Sequence, residues 1–169
     1  ASMNPCPCGY FADEKKECKC TPLQIQRYLG KISGPFLDRL DIHIEVPRPH
    51  FSELDSNPDG ESSRAIKNRV EAARQRQRER LKETISENTG ITCNAHLTAP
   101  LLRKMCRLSR EGRKLLKDAF ERLNFTARTH GKILKMALTI ADLAGSEVVD
   151  TIHIAEAIQY RSLERKIWL

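Results

Sequence analysis

Four of the six cysteines fall in one short stretch: Cys6-Pro7-Cys8, then nine residues, then Cys18-Lys19-Cys20. Two close pairs of thiols separated by a polar loop containing Gly9 can reverse the chain and converge. Four thiolates suit tetrahedral zinc, and a site closed by four sulfurs keeps no position open for catalysis, so its role would be structural. Two disulfides or four free thiols are the other states open to such a cluster. The start of the sequence carries no secretory signal, so a reducing, cytoplasmic compartment is the expectation, and there clustered cysteines hold metal more often than they pair. Cys93 and Cys106 stand apart and are expected to pack as small apolar residues.

Two arginines are placed where a fixed positive charge could do chemistry. Arg39 lies in Ser33-Gly34-Pro35-Phe36-Leu37-Asp38-Arg39-Leu40-Asp41, between two carboxylates that could aim it. Such a guanidinium suits a phosphate or a partner's acid; a surface ion pair within the cluster is the plainer reading. Arg128 falls in the first turn of an expected helix that also carries His130 and Lys132. Cations oppose the dipole there, unless an anion completes the helix start. Without one, Arg128 would be solvated or reach an acid from elsewhere.

The elements that must hold these groups follow from periodicity. Pro22 to Leu29 reads as a short helix stopped by Gly30. The alternation in Ile42-His43-Ile44-Glu45-Val46 predicts a strand with one buried face, ended by Pro47 and Pro49. Residues 52–60 (SELDSNPDG) form the clearest linker and divide the chain. A long basic helix is expected from Ser62 or Ser63 to about Glu87, with Ile66, Val70, Ala73, Leu81 and Ile85 as a narrow apolar stripe. Four further helices follow, capped by Thr98, Ser109, Thr126 and Asp150. Their inward residues include Leu102, Met105, Leu116, Phe120, Ile133, Leu134, Ala137, Leu138, Ile140, Ala141, Ala144, Ile154, Ala157 and Ile158, with Gly145 as the third helix's stop. His96 and His153 read as structural.

Composition sets the bounds. The chain has 169 residues, 40% of them hydrophobic and 5% aromatic, so its core is mostly aliphatic. Its 29 basic and 22 acidic side chains give a net charge of +7, which favours anionic partners without choosing among them. No apolar run approaches the roughly 20 residues of a membrane span.

These pieces, in this order, resemble the magnesium-chelatase-like AAA+ ATPases of the ComM/YifB type. The residues that carry the likeness are Met3-Asn4-Pro5-Cys6-Pro7-Cys8-Gly9-Tyr10 with Cys18 and Cys20, Ile32-Ser33-Gly34-Pro35 with Leu37-Asp38-Arg39, Asn94-Ala95, Ala127-Arg128 leading into Ile133-Leu134-Lys135, Thr139 to Leu143, and His153 to Arg161. The resemblance implies a mainly α chain: the remnant of an AAA+ α/β core with its Cys-rich zinc loop over residues 1–51, the linker 52–60, and a helical-bundle lid over 61–169. It implies that Asn4 acts as the sensor 1 residue, Arg39 as an arginine finger toward a neighbouring subunit's ATP, and Arg128 as sensor 2. ATP with magnesium, a hexameric ring and a DNA substrate would belong to the whole protein. No G-x-x-x-x-G-K-[ST] occurs, nor an acidic Walker B strand before Asn4, so the chain is expected to be the C-terminal fragment of a longer protein and inactive alone as an ATPase. A zinc-stabilised nucleic-acid-binding module, using the long helix with Arg74, Arg76 and Arg78, is the alternative.

Overall fold

The computed structural model describes residues 1–49, 60–84, 90–123 and 125–161. The described residues are mainly helical, and the chain divides into two compact units: Ala1–Asp59 with Tyr160–Leu169, and Gly60–Gln159. The expected linker is outside the described residues except for Gly60.

In the first unit, α1 (Pro22–Leu29) starts on a reciprocal cap. The Thr21 hydroxyl accepts from the Gln24 N–H, and the Gln24 side chain accepts from the Thr21 N–H, so two of the helix's orphan donors are satisfied. A second, four-residue helix, α2 (Gly34–Leu37), was not legible from periodicity. Its signal is local: Ser33 accepts from the Phe36 N–H, and Pro35 sits in the first turn, where its missing N–H costs nothing.

The strand expected over 42–46 is absent; these residues run without regular structure. A ladder needs a partner, and none is present among the described residues. The alternation also faces the other way from the expectation. Ile44 and Val46 are 64% and 87% exposed, while His43 is buried. The His43 N–H donates to the Tyr160 carbonyl at 2.7 Å, which anchors the segment at this residue.

The second unit is a helical bundle. Helix α3 (Ser63–Thr84) begins beside Ser62, whose hydroxyl accepts from the Ala65 N–H; its expected extension through Ile85 to Glu87 lies outside the described residues. A 3₁₀ turn (Asn94–His96) leads to α4 (Ala99–Met105), α5 (Arg110–Leu123), α6 (Ala127–Ala144) and α7 (Thr151–Gln159). The caps at Ser109, Thr126 and Asp150 are formed: each side-chain oxygen accepts a nearby backbone N–H. Thr98 is the N-cap of α4 but makes no such bond. Gly145 ends α6 with φ at +75°, a left-handed backbone that favours glycine.

Helix α6 is the centre of this unit, packed against α7, α3, α4 and the 3₁₀ turn. Ile133, Leu134, Ala137, Leu138 and Ala141 bury one face of it. They meet Leu97, Leu102, Met105, Leu116, Val149, Ile154 and Ala157 in one aliphatic core. Ala144, expected inside, is exposed, and Ile140, Phe120 and Ile158 are only partly buried. On α3 the stripe is narrower than the pattern implies: Ala73, Gln77 and Leu81 are buried, whereas Ile66 and Val70 are exposed.

Candidate functional site

The cysteine loop is shaped by turns. Gly9 adopts φ +83° and its N–H donates to the Cys6 carbonyl, closing the first Cys-x-Cys pair with a backbone that favours glycine. Asp13 accepts from the Lys15 and Lys16 N–H groups, both at 2.9 Å, and so reverses the chain between the pairs. Tyr10 packs beneath the ammonium of Lys16, 4.1 Å from the ring centre, and near the guanidinium of Arg48, which itself lies 3.7 Å from Asp13.

These turns bring Cys6, Cys8, Cys18 and Cys20 together, with all four sulfurs within 4.8 Å of one another. The Sγ separations are 3.4 Å for Cys6–Cys8, 3.7 Å for Cys6–Cys18 and 3.6 Å for Cys8–Cys18. Four sulfurs at about 2.3 Å from one tetrahedral metal would stand about 3.8 Å apart, so the cluster is close enough to hold a metal ion. None of the four is in a disulfide.

Their acidities diverge as crowded thiols must. The backbone N–H of Tyr10 is the main influence holding the Cys8 thiol down to about 6. At Cys18 the Cys20 N–H favours the thiolate, but burial and the hydrogen bonds to the neighbouring sulfurs push it up to about 12. One negative sulfur thus resists the next, and a cation in the centre would remove that conflict.

Asn4 is exposed beside this loop: a Cβ placed on Gly9 would be 3.7 Å from its Nδ2. Arg39 is exposed just after α2. The residues on both sides of it are held by Arg161, a side chain only 2% exposed. One terminal nitrogen of Arg161 donates to the Leu40 carbonyl at 2.8 Å, and the other lies 3.5 Å from the Asp38 carboxylate. Asp38 therefore faces Arg161, a partner 123 positions away that spacing could not reveal.

Arg128, in the second unit, is exposed on the first turn of α6. That turn contains no acid, and the Thr126 hydroxyl caps it by accepting from the Thr129 N–H at 3.1 Å. His130 is partly buried at this end of the helix. Its ring is edge-on to Phe120, with centres 5.9 Å apart, and burial holds its pKa below the ordinary histidine value.

Sequence reasoning missed a buried polar cluster in the bundle. Asp142 is fully buried on α6. Arg80 from α3 donates to both of its carboxylate oxygens, and Asn94 donates to it at 2.8 Å and to Thr139 at 3.1 Å. Arg76 donates to the Asp142 carbonyl near the C-terminus of α6, where a cation meets the negative end of the dipole. Two of the arginines that made α3 look like a solvated basic helix are thus turned toward α6.

Residues 1–54 match the family described as magnesium chelatase, subunit ChlI, and residues 60–161 match magnesium chelatase, subunit ChlI C-terminal. The chain belongs to this magnesium chelatase ChlI family. Among curated relatives it is 38% identical to the uncharacterized protein YifB of Escherichia coli over 166 residues, which is 98% of this chain and 31% of YifB. It is 36% identical to the competence protein ComM of Haemophilus influenzae, over 98% of this chain and 30% of ComM. An uncharacterized Mycobacterium bovis protein is 34% identical over 95% of this chain. The chain therefore spans about a third of the length of these relatives. No helix among the described residues is long and apolar enough to cross a membrane.

Proposed function

We propose that this chain is the nucleotide-sensing and lid portion of a longer, ring-forming AAA+ ATPase that remodels DNA. In this reading Arg39 is the finger that meets the charge developing on a neighbouring subunit's triphosphate. Asn4 orients the attacking water, and Arg128 bridges the lid to the γ-phosphate. ATP and magnesium are bound mainly by residues outside this sequence. The cysteine cluster holds zinc, which ties Asn4 to a fixed loop and takes no part in the chemistry.

The observation that carries the reading is the pair of bonds from Arg161. They anchor residues 38 and 40 while the Arg39 side chain stays exposed. An ion pair serving only stability does not need both flanking residues held; a guanidinium that must meet a phosphate in a fixed place does. The exposed Ile42, Ile44 and Val46 fit the same reading, because a period-2 apolar face is one that a larger fold would cover with a further layer. The alternative, a nucleic-acid-binding module working through α3, draws less support. Arg76 is bonded to α6, and Arg78 donates to Gln75 at 2.7 Å.

The test uses the full-length parent protein. Arg39→Ala should lower ATP turnover by about a thousandfold with little change in nucleotide affinity. Mixing that variant with subunits lacking the phosphate-binding lysine should restore part of the activity, because finger and pocket then come from different chains. The isolated 169-residue chain should show no turnover above buffer. Undiminished turnover by the Arg39→Ala ring, or robust hydrolysis by the isolated chain, overturns the reading.

A further inference from the structure

The chain's positive charge is concentrated in a place that neither the metal loop nor the nucleotide-facing arginines account for. Residues 103–117 contain seven cations, Arg103, Lys104, Arg107, Arg110, Arg113, Lys114 and Lys117, against one acid, Glu111. All seven cationic side chains are exposed. Between α4, α5 and the start of α6 lies an open cleft of about 550 Å³. Its lining is mostly apolar: Leu108 and Phe120 are partly exposed there, above Leu102, Leu116 and Leu134 of the buried core, and Arg103, Arg113, Lys117 and Glu121 stand around it. Lys117 has a neighbouring carboxylate, Glu121, at 3.8 Å. The guanidinium groups of Arg103 and Arg113 have no hydrogen-bond or ion-pair partner among the described residues.

We infer that this cleft is a docking site for an acidic amphipathic segment of a partner protein, whose apolar side chains enter the cleft while its carboxylates meet Arg103 and Arg113. Two features select this occupant. The lining offers leucine side chains and one phenylalanine already engaged by His130; it suits a leucine or phenylalanine anchor better than a stack of bases, which needs open aromatic faces. The cations stand around an apolar floor, so both parts of an amphipathic acidic segment are matched, whereas a phosphate backbone would use the charges alone. Charge opposite charge at such a rim chiefly sets orientation and association rate, and the buried anchor supplies most of the affinity.

The experiment uses the full 169-residue chain and a fluorescein-labelled peptide of about 16 residues with leucines at helical spacing on one face and glutamates on the other. Binding is followed by anisotropy and mapped by amide shifts in ¹⁵N spectra. The expected result is saturable binding with shifts clustered on α4, α5 and the first turns of α6. The Arg103→Glu/Arg113→Glu variant should weaken it by about tenfold or more. A peptide with its leucines replaced by serine should bind no better than that variant does. Both substituted side chains are exposed, and an unchanged melting curve for the variant separates lost docking from lost folding. Three results overturn the inference: equal binding by the serine peptide, shifts that map elsewhere, or a labelled oligonucleotide of equal charge that binds as tightly and loses the same factor in the variant.

Discussion

Arg80 on α3 donates through both terminal nitrogens to the carboxylate of Asp142 on α6, and Asp142 is fully buried. The two residues are 62 positions apart, so their bond ties the long basic helix to the centre of the bundle. Asn94 completes the shell by donating to the same carboxylate. Removing one partner of such a pair leaves an uncompensated buried charge, which typically costs about 3–5 kcal/mol. Arg80→Ala should therefore lower the stability of the bundle by about that amount in a urea titration followed by helical circular dichroism. Replacing both residues with apolar side chains should cost less than Arg80→Ala alone, because no charge is then stranded. A single variant within about 0.5 kcal/mol of the parent would show that the pair contributes no stability.

The cysteine cluster predicts a local dependence on metal. The purified chain should carry one zinc, measured by elemental analysis, and Cys8→Ser or Cys18→Ser should abolish retention. Chelation should loosen the first unit while leaving the helical bundle folded, because the hydrophobic core of the bundle includes none of the four ligands. The expected readout is rapid tryptic cleavage after Lys15, Lys16 and Lys19 with little change in helical circular dichroism. Unchanged cleavage after metal removal would mean the turns at Gly9 and Asp13 suffice to hold the loop.

What could be read from the sequence depended on near neighbours, although the equally local Ser33 and Pro35 signal of α2 was missed. The caps at Ser109, Thr126 and Asp150 and the glycine stop at Gly145 each involve residues a few positions apart, and they form as spacing implies, whereas Thr98 heads α4 without the expected side-chain bond. The cysteine cluster was legible because thiols have few other reasons to be crowded. The turn of Arg76 and Arg80 toward α6 was not, since a basic helix looks the same whether its arginines meet solvent or a carboxylate 62 positions away. Arg161 was illegible in the same way: it reaches Leu40 across 121 positions. The alternation at 42–46 was legible as a pattern but misleading as structure, because a period of two says which residues share a face and nothing about whether a neighbour pairs with it.

The cap of α7 gives a pH dependence whose sign follows from one group. Hydrogen bonds from the Ser109 hydroxyl, then from the Thr151 N–H, hold the Asp150 carboxyl below its ordinary value. A carboxyl depressed in the folded state contributes stability that is present above its unfolded pKa, about 3.9, and is lost as pH falls through the lower folded value. The midpoint of thermal unfolding should thus fall as pH drops below about 4. Ser109→Ala removes the largest cause of the depression, so it should shrink this acid-dependent loss. An acid limb identical in the two proteins would show that the cap does not contribute to it.

Two glycines inside helices should respond to alanine with opposite signs. In an open helix position alanine is favoured over glycine by about 0.5–1 kcal/mol, because it restricts the unfolded chain. Gly131 on α6 is such a position: a Cβ there would have nothing within 4 Å. Gly112 on α5 is not. A Cβ there would sit 3.1 Å from the Val149 carbonyl oxygen and 3.0 Å from the Ser109 hydroxyl. Neither neighbour is free to retreat, since the Val149 oxygen accepts from the Ser109 N–H and the hydroxyl donates to Asp150 at 2.7 Å. Gly131→Ala should therefore raise the melting temperature, and Gly112→Ala should lower it despite the better helix former. If Gly112→Ala were as stabilising as Gly131→Ala, the close approach of α5 to the Val149–Asp150 turn would not be a tight contact in solution.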